Sequence, residues 1–99
     1  MFSRVWAYDV PADSIADFTV AYGSAGDWAK LFARAEGFVR TELYRSTEAP
    51  TRFVTVDVWS SEAAWHAFID RWGAAYAELG ARLQPLAAGG TFLVEGAQE

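Results

Sequence analysis

Seven apolar residues, Trp65, Phe68, Ile69, Trp72, Tyr76, Leu79 and Leu83, fall on one stripe at helical spacing. A stripe about five turns long must lie on a broad apolar surface, and one helix cannot provide that surface for itself. Ser60 or Ser61 caps its start, Glu62 sits near its positive end, and Pro85 ends it. The matching surface must come from the rest of the 99 residues, much of which alternates with a period of two.

Phe2 to Val10 alternates as a strand, with Phe2, Trp6, Tyr8 and Val10 on one side and Val5 and Ala7 on the other; Pro11 stops it. Asp13 or Ser14 caps a first helix, with Asp17 in its first turn and Ile15, Phe18 and Tyr22 on one face. Gly23-Ser24-Ala25-Gly26 breaks that helix, and Asp27 caps a second segment bearing Trp28, Leu31, Phe32 and Ala35. Gly37 is placed to end it as a left-handed cap. Phe38 to Arg45 and Arg52 to Trp59 read as a hairpin joined by the turn residues Ser46 to Thr51. Gly89-Gly90 leads into a last strand, Thr91 to Glu95. The order βαββαβ is that of ferredoxin-like α+β domains. Right-handed crossovers then put both helices on one face of a four-stranded antiparallel sheet. With no repeat or linker, residues 1–99 form one domain.

The pattern assigns Val54, Val56 and Val58 to the helix side and leaves Phe53, Thr55, Asp57 and Trp59 on the uncovered side. Trp6 and Tyr8 beside Arg4, and Tyr44 beside Arg40 and Glu42, make similar mixed faces. Aromatic residues are 16% of the chain, more than so small a body can easily hide from water. The expectation is a bare sheet face carrying large rings, covered by a second copy of the chain in a homodimer.

Composition narrows the function. A net charge of −5, with 8 Lys and Arg that form no run, disfavours nucleic acid as a partner. No apolar stretch approaches a membrane span, so no membrane partner is expected. The absence of Cys excludes disulfides and thiolate metal sites and points to the cytoplasm. One His and scattered carboxylates give no metal-ligand spacing, and Gly89-Gly90 lacks the spacing of a phosphate loop. No flavin or nicotinamide motif is present, and no cofactor is expected.

His66 is the one imidazole, with Glu62 and Asp70 each a helical turn away: a base oriented by a carboxylate, or a surface His between two acids. Trp65, Phe68, Trp72 and Tyr76 wall an apolar pocket or simply fill the core. The hydroxyls of Tyr76 and Tyr22 need partners if buried. Arg82 and Arg40 are candidates to hold an anionic oxygen, or are solvated charges. Gly73 and Gly80 allow close approach along the flank of the long helix.

Three stretches, Arg4-Val5-Trp6-Ala7-Tyr8-Asp9-Val10-Pro11, Leu31-Phe32-Ala33-Arg34-Ala35-Glu36-Gly37-Phe38 running into Thr41-Glu42-Leu43, and Asp57-Val58-Trp59-Ser60-Ser61-Glu62-Ala63-Ala64-Trp65 followed by Phe68, carry a resemblance. Together they resemble the antibiotic biosynthesis monooxygenase (ABM) family of dimeric α+β barrels. The resemblance implies a dimer whose two sheets meet as a barrel, with a pocket between each protomer's sheet and helices. It also implies oxygenation of phenolic or polyketide-like substrates with O2 and no cofactor, or in other members haem degradation. Haem-degrading members use an Asn, a Trp and a His; this chain has no Asn, and its His lies early in the long helix. The resemblance therefore implies a cofactor-independent monooxygenase acting on a small phenolic aromatic. His66 and Tyr76 are its expected catalytic residues, and Trp65, Phe68, Trp72, Tyr22, Trp6 and Arg82 its expected substrate contacts. A non-catalytic, small-ligand-binding or regulatory dimer of the same fold is the alternative.

Overall fold

The computed structural model describes residues 1–87 and 89–99. Strand β1 (Phe2–Asp9) leads through a short turn of 3-10 helix into α1 (Ile15–Tyr22) and α2 (Asp27–Phe32). The hairpin β2 (Phe38–Arg45) and β3 (Arg52–Trp59) follows, then α3 (Glu62–Leu83) and β4 (Gly90–Ala97). The strands form one antiparallel sheet in the order β2-β3-β1-β4. This is the ferredoxin-like α+β arrangement that the periodicities predict, with helices packed on one side of the sheet. No helix among the described residues is long and apolar enough to cross a membrane.

Ser61 caps α3 as its position predicts, its hydroxyl accepting the Ala64 N–H at 3.1 Å. At Trp72 the helix breaks step, with φ −120° and ψ 20°, so α3 is two helical pieces joined at a kink. Other local expectations are corrected. Neither Ser14 nor Asp27 caps with its side chain; Ser14 is the last residue of a 3-10 turn that starts at Ala12 after Pro11, and Gly26 stands at the head of α2. Helix α2 stops at Phe32, short of Ala35. Gly37 is not left-handed; among the described residues the one positive φ belongs to Gly89. Gly37 is required for space instead: a Cβ there would run into the Cβ of Ala64, where the first turn of α3 crosses the start of β2.

The larger correction concerns the faces of the sheet. Phe53 and Trp59 are 2% and 0% exposed and point at the helices. The Phe53 ring lies 5.0 Å from Phe18, and the Trp59 ring 5.4 Å from both Phe32 and Trp65. By alternation Thr55 and Asp57 share that inner face, and across the ladder they meet Trp6 and Arg4 of β1 and Leu43 and Thr41 of β2. Val54, Val56 and Val58 face outward with Val5, opposite to the expectation. The uncovered face thus carries these valines, of which Val58 is buried, beside the Arg40–Glu42 ion pair and Tyr44, which is 55% exposed and donates to Glu42. Alternation fixes which residues share a face, but it cannot rank two apolar faces against each other. The gap under the helices takes the larger side chains, and those are the rings.

Candidate functional site

The inner face of β3 reads Phe53, Thr55, Asp57, Trp59: rings at both ends and small polar side chains between. At the ends the rings meet α1, α2 and α3 and fill the core. In the middle nothing large rises from the strand, and Thr41 on β2 leaves the same gap. Opposite, α3 presents Ala77 and Gly80 beyond its kink. A cavity of about 250 Å³ results, floored by Thr41, Thr55 and Asp57.

Its walls are aromatic. Trp6 and Tyr8 stack at 6.3 Å, Tyr8 meets Tyr22 edge-on at 5.0 Å, and Trp28 bridges Tyr22 and Tyr76 at 6.1 and 5.3 Å. Gly89, Gly90 and Gln84, all exposed, form the mouth. Gly90 has to be glycine, since a Cβ there would stand 2.5 Å from Tyr8 Cε1 and 3.0 Å from Trp6 Cε3.

Two charged groups set the electrostatics, Asp57 on the floor and Arg4 beside it. Asp57 Oδ1 accepts the Thr41 hydroxyl at 2.8 Å. Burial pushes the Asp57 carboxyl up from 3.8 to about 6, against the pull of the Thr41 hydrogen bond and the Arg4 charge. Arg4 lies beside the site in a clamp of its own. Its guanidinium sits 4.0 Å from the centre of the Trp65 ring and 4.8 Å from Phe92, with Nε 2.9 Å from Glu95. Burial raises the phenols of Tyr8, Tyr22 and Tyr76, so all three stand as neutral donors, with Arg4 opposing the rise at Tyr76. Thr55 Oγ1 and Trp28 Nε1 are buried in the cavity lining and approach the Tyr8 and Tyr22 hydroxyls, but neither makes a full hydrogen bond among the described residues. Unpartnered polar atoms in such a place are costly unless a bound molecule meets them.

The expected site residues divide. Tyr76, Tyr22 and Trp6 line the cavity. Trp65 and Phe68 lie behind the wall in the core, Trp65 edge-on to Tyr76 at 5.6 Å. Trp72, at the kink, packs on Phe68 at 5.8 Å beneath the Arg71 guanidinium. His66 lies outside the cavity, its side chain 61% exposed and 3.2 Å from Glu62. Arg82 is exposed and pairs with Asp27 at 3.6 Å, and Arg40 pairs with Glu42 on the outer face. Tyr8, Trp28, Thr41, Thr55 and Asp57 complete the site and were not among the expected residues. The signal for them was present in β3, where two large rings bracket two small polar residues on one face of a strand. Among the described residues no three His, Asp or Glu side chains converge as metal ligands.

The sequence pattern of the antibiotic biosynthesis monooxygenase family matches residues 1–72. Among solved structures, an asparagine-to-alanine mutant of SnoaB, a cofactor-independent oxygenase from Streptomyces nogalater, superposes with a TM-score of 0.77 at 22% identity, covering 98% of this chain and 91% of that one. An arginine-to-serine mutant of MhuD with two manganese protoporphyrin IX bound per active site gives 0.69 at 24% identity, covering 99% and 92%. A conserved protein of Methanosarcina mazei Go1 gives 0.69 at 14% identity, covering 99% and 92%. No curated protein matches the chain.

Proposed function

The chain belongs to the antibiotic biosynthesis monooxygenase family, and from that premise we propose that it oxygenates a small electron-rich phenol with O2 and no cofactor. The observation that carries this reading is the cavity between sheet and α3, walled by aromatic rings, with polar side chains at its floor and phenol and indole groups on its walls. The phenol gives up its hydroxyl proton and passes one electron to O2. The radical pair joins at the ring carbon para to the oxygen, forming a C–O bond. Loss of water then breaks the O–O bond and leaves the second carbonyl of a quinone. One oxygen atom ends in the product and one in water, and all four electrons come from the substrate. The protein's part is to hold the ring against Trp6, Tyr8 and Trp28, exclude water, and offer donors to the substrate oxygens.

His66 has no path to this cavity, so its pairing with Glu62 serves the surface of α3. The absence of an imidazole from the lining favours a second reading, in which the cavity binds a small aromatic molecule without turning it over. The test is O2 uptake by the purified protein over a panel of naphthols and anthrones. One O2 consumed per molecule of quinone formed supports the oxygenase; saturable binding without uptake supports the second reading. Haem fits neither, since the cavity is small and offers no imidazole, and a haem titration should leave the Soret band unmoved.

The valines of the outer face, Val5, Val54, Val56 and Val58, form in this reading the surface on which a second copy packs, giving a homodimer with one cavity per protomer.

A further inference from the structure

Among the described residues, Asp57 is the one carboxylate in the lining of the cavity. Its neighbours define what it can do. Thr41 from β2 donates to Oδ1, which holds the carboxylate in place. Arg4 stands opposite it on β1, but the Arg4 Nε is taken by Glu95 of β4 and its guanidinium is clamped between Trp65 and Phe92. No ion pair therefore closes over Asp57. Tyr8 from β1 and Tyr76 from α3 complete the set of titratable groups around it, and both are neutral phenols. The remaining floor group, Thr55, and the wall group Trp28 each present a polar atom that approaches a neighbouring phenol, Tyr8 and Tyr22, without a full hydrogen bond among the described residues.

We propose that Asp57 is a catalytic base, taking the hydroxyl proton from a phenol of one or two fused rings whose oxygens also meet Thr55 and Trp28; this rests on the oxygenase reading above. The ring count follows from size. An apolar cavity of about 150 Å³ holds a single benzene, and this one is about 250 Å³. The assignment explains why a carboxylate is kept in a wall of rings, where burial works against its charge. It also fits the sense in which its proton affinity is displaced, since a carboxyl near 6 is a better base than one near 4. An ordinary phenol, with a pKa of about 10, transfers its proton to such a group in only about one part in ten thousand. Asp57 thus removes the proton as the electron leaves for O2; it does not store a phenolate. Water released in the last step carries the oxygen that the quinone does not keep.

The probe is 1-naphthol, whose oxidation by one O2 gives 1,4-naphthoquinone and one water. Excited naphthol is a strong acid, and its emission moves to longer wavelength once a neighbouring base has taken the proton. Asp57→Asn keeps the shape of the side chain and an acceptor for Thr41. Bound to wild type, 1-naphthol should emit as naphtholate; bound to Asp57→Asn, as the neutral form. Turnover should fall about a hundredfold or more in the variant with naphthol binding retained. The rise of the wild-type rate with pH through about 6 should vanish with it. His66→Ala should change neither emission nor rate. Naphtholate emission from the Asp57→Asn complex, an unchanged rate in that variant, or failure of wild type to bind 1-naphthol would overturn the assignment. Naphtholate emission from wild type without O2 uptake would uphold Asp57 as proton acceptor and defeat the oxygenase reading. Uptake at equal rates in both proteins would do the reverse.

Discussion

The two faces of the sheet are drawn from the same strands, alternate residues going to each, yet they are built on different rules. The inner face is uneven: large rings at Phe2, Phe53 and Trp59, small polar residues at Thr41, Thr55 and Asp57. The outer face is more even, with valines at Val5, Val54, Val56 and Val58 on its central strands and the Arg40–Glu42–Tyr44 group on β2 at its edge. Unevenness under a helix makes a core where ring meets ring and a hollow where it does not. Evenness makes a flat apolar surface of the kind that packs on another sheet. The pleat lets one hairpin satisfy both demands, because a change at one position leaves its neighbour's face untouched.

That contrast can be broken in three places. The largest effect belongs to the rings. Trp59→Ala should lower unfolding free energy by about 3–5 kcal/mol, whereas Val56→Ala on the other face should lower it by about 1 kcal/mol; urea denaturation of the two variants measures the gap. Comparable losses would mean that the outer face is as much a core as the inner one. Next comes the hollow. Because the folded state holds the Asp57 carboxyl proton more tightly than the unfolded chain, from 3.8 up to about 6, its contribution is fully present below about pH 4 and is lost as pH rises through about 6. Asp57→Asn should therefore be more stable than wild type by roughly 2–3 kcal/mol at pH 7, with the difference vanishing toward pH 4. Thermal melts across that range check both size and slope. The smallest effect on the protomer itself belongs to Val56→Asp, about 1 kcal/mol. Light scattering should nonetheless show this variant at the 10.9 kDa of a single chain and wild type at twice that mass. Equal masses would remove the second copy from the valine face.

Much of the architecture was legible in the sequence because independent signals agreed. Alternation marked the strands, the Trp65–Leu83 stripe marked α3, and Ser61 and Pro85 bracketed it. The parity of β3 was not legible, because Phe53, Trp59 and the valines are all apolar and the period of two is blind to size. The site inherited that error: with β3 turned over, Asp57 and Thr55 fell on the uncovered face and His66 was the visible base. Tyr76, Tyr22 and Trp6 came through because they were judged as rings in their own elements. Gly37 shows a related blindness. Its place after α2 suggested a backbone conformation, but the constraint comes from Ala64, 27 positions downstream, which no local pattern reveals.

The kink at Trp72 has a consequence for how such a protein can change over generations. Ahead of it, Trp65 and Phe68 belong to the ring nucleus; behind it, Tyr76, Ala77 and Gly80 face the hollow. The family match ends at the same residue, and Gln84, Gly89 and Gly90 at the mouth also lie beyond it. Drift in the second stretch can reshape the cavity while the first stretch goes on specifying the fold. A lineage can thus reshape the hollow by changes behind a single joint in one helix, with the strand that carries Asp57 unaltered beneath it.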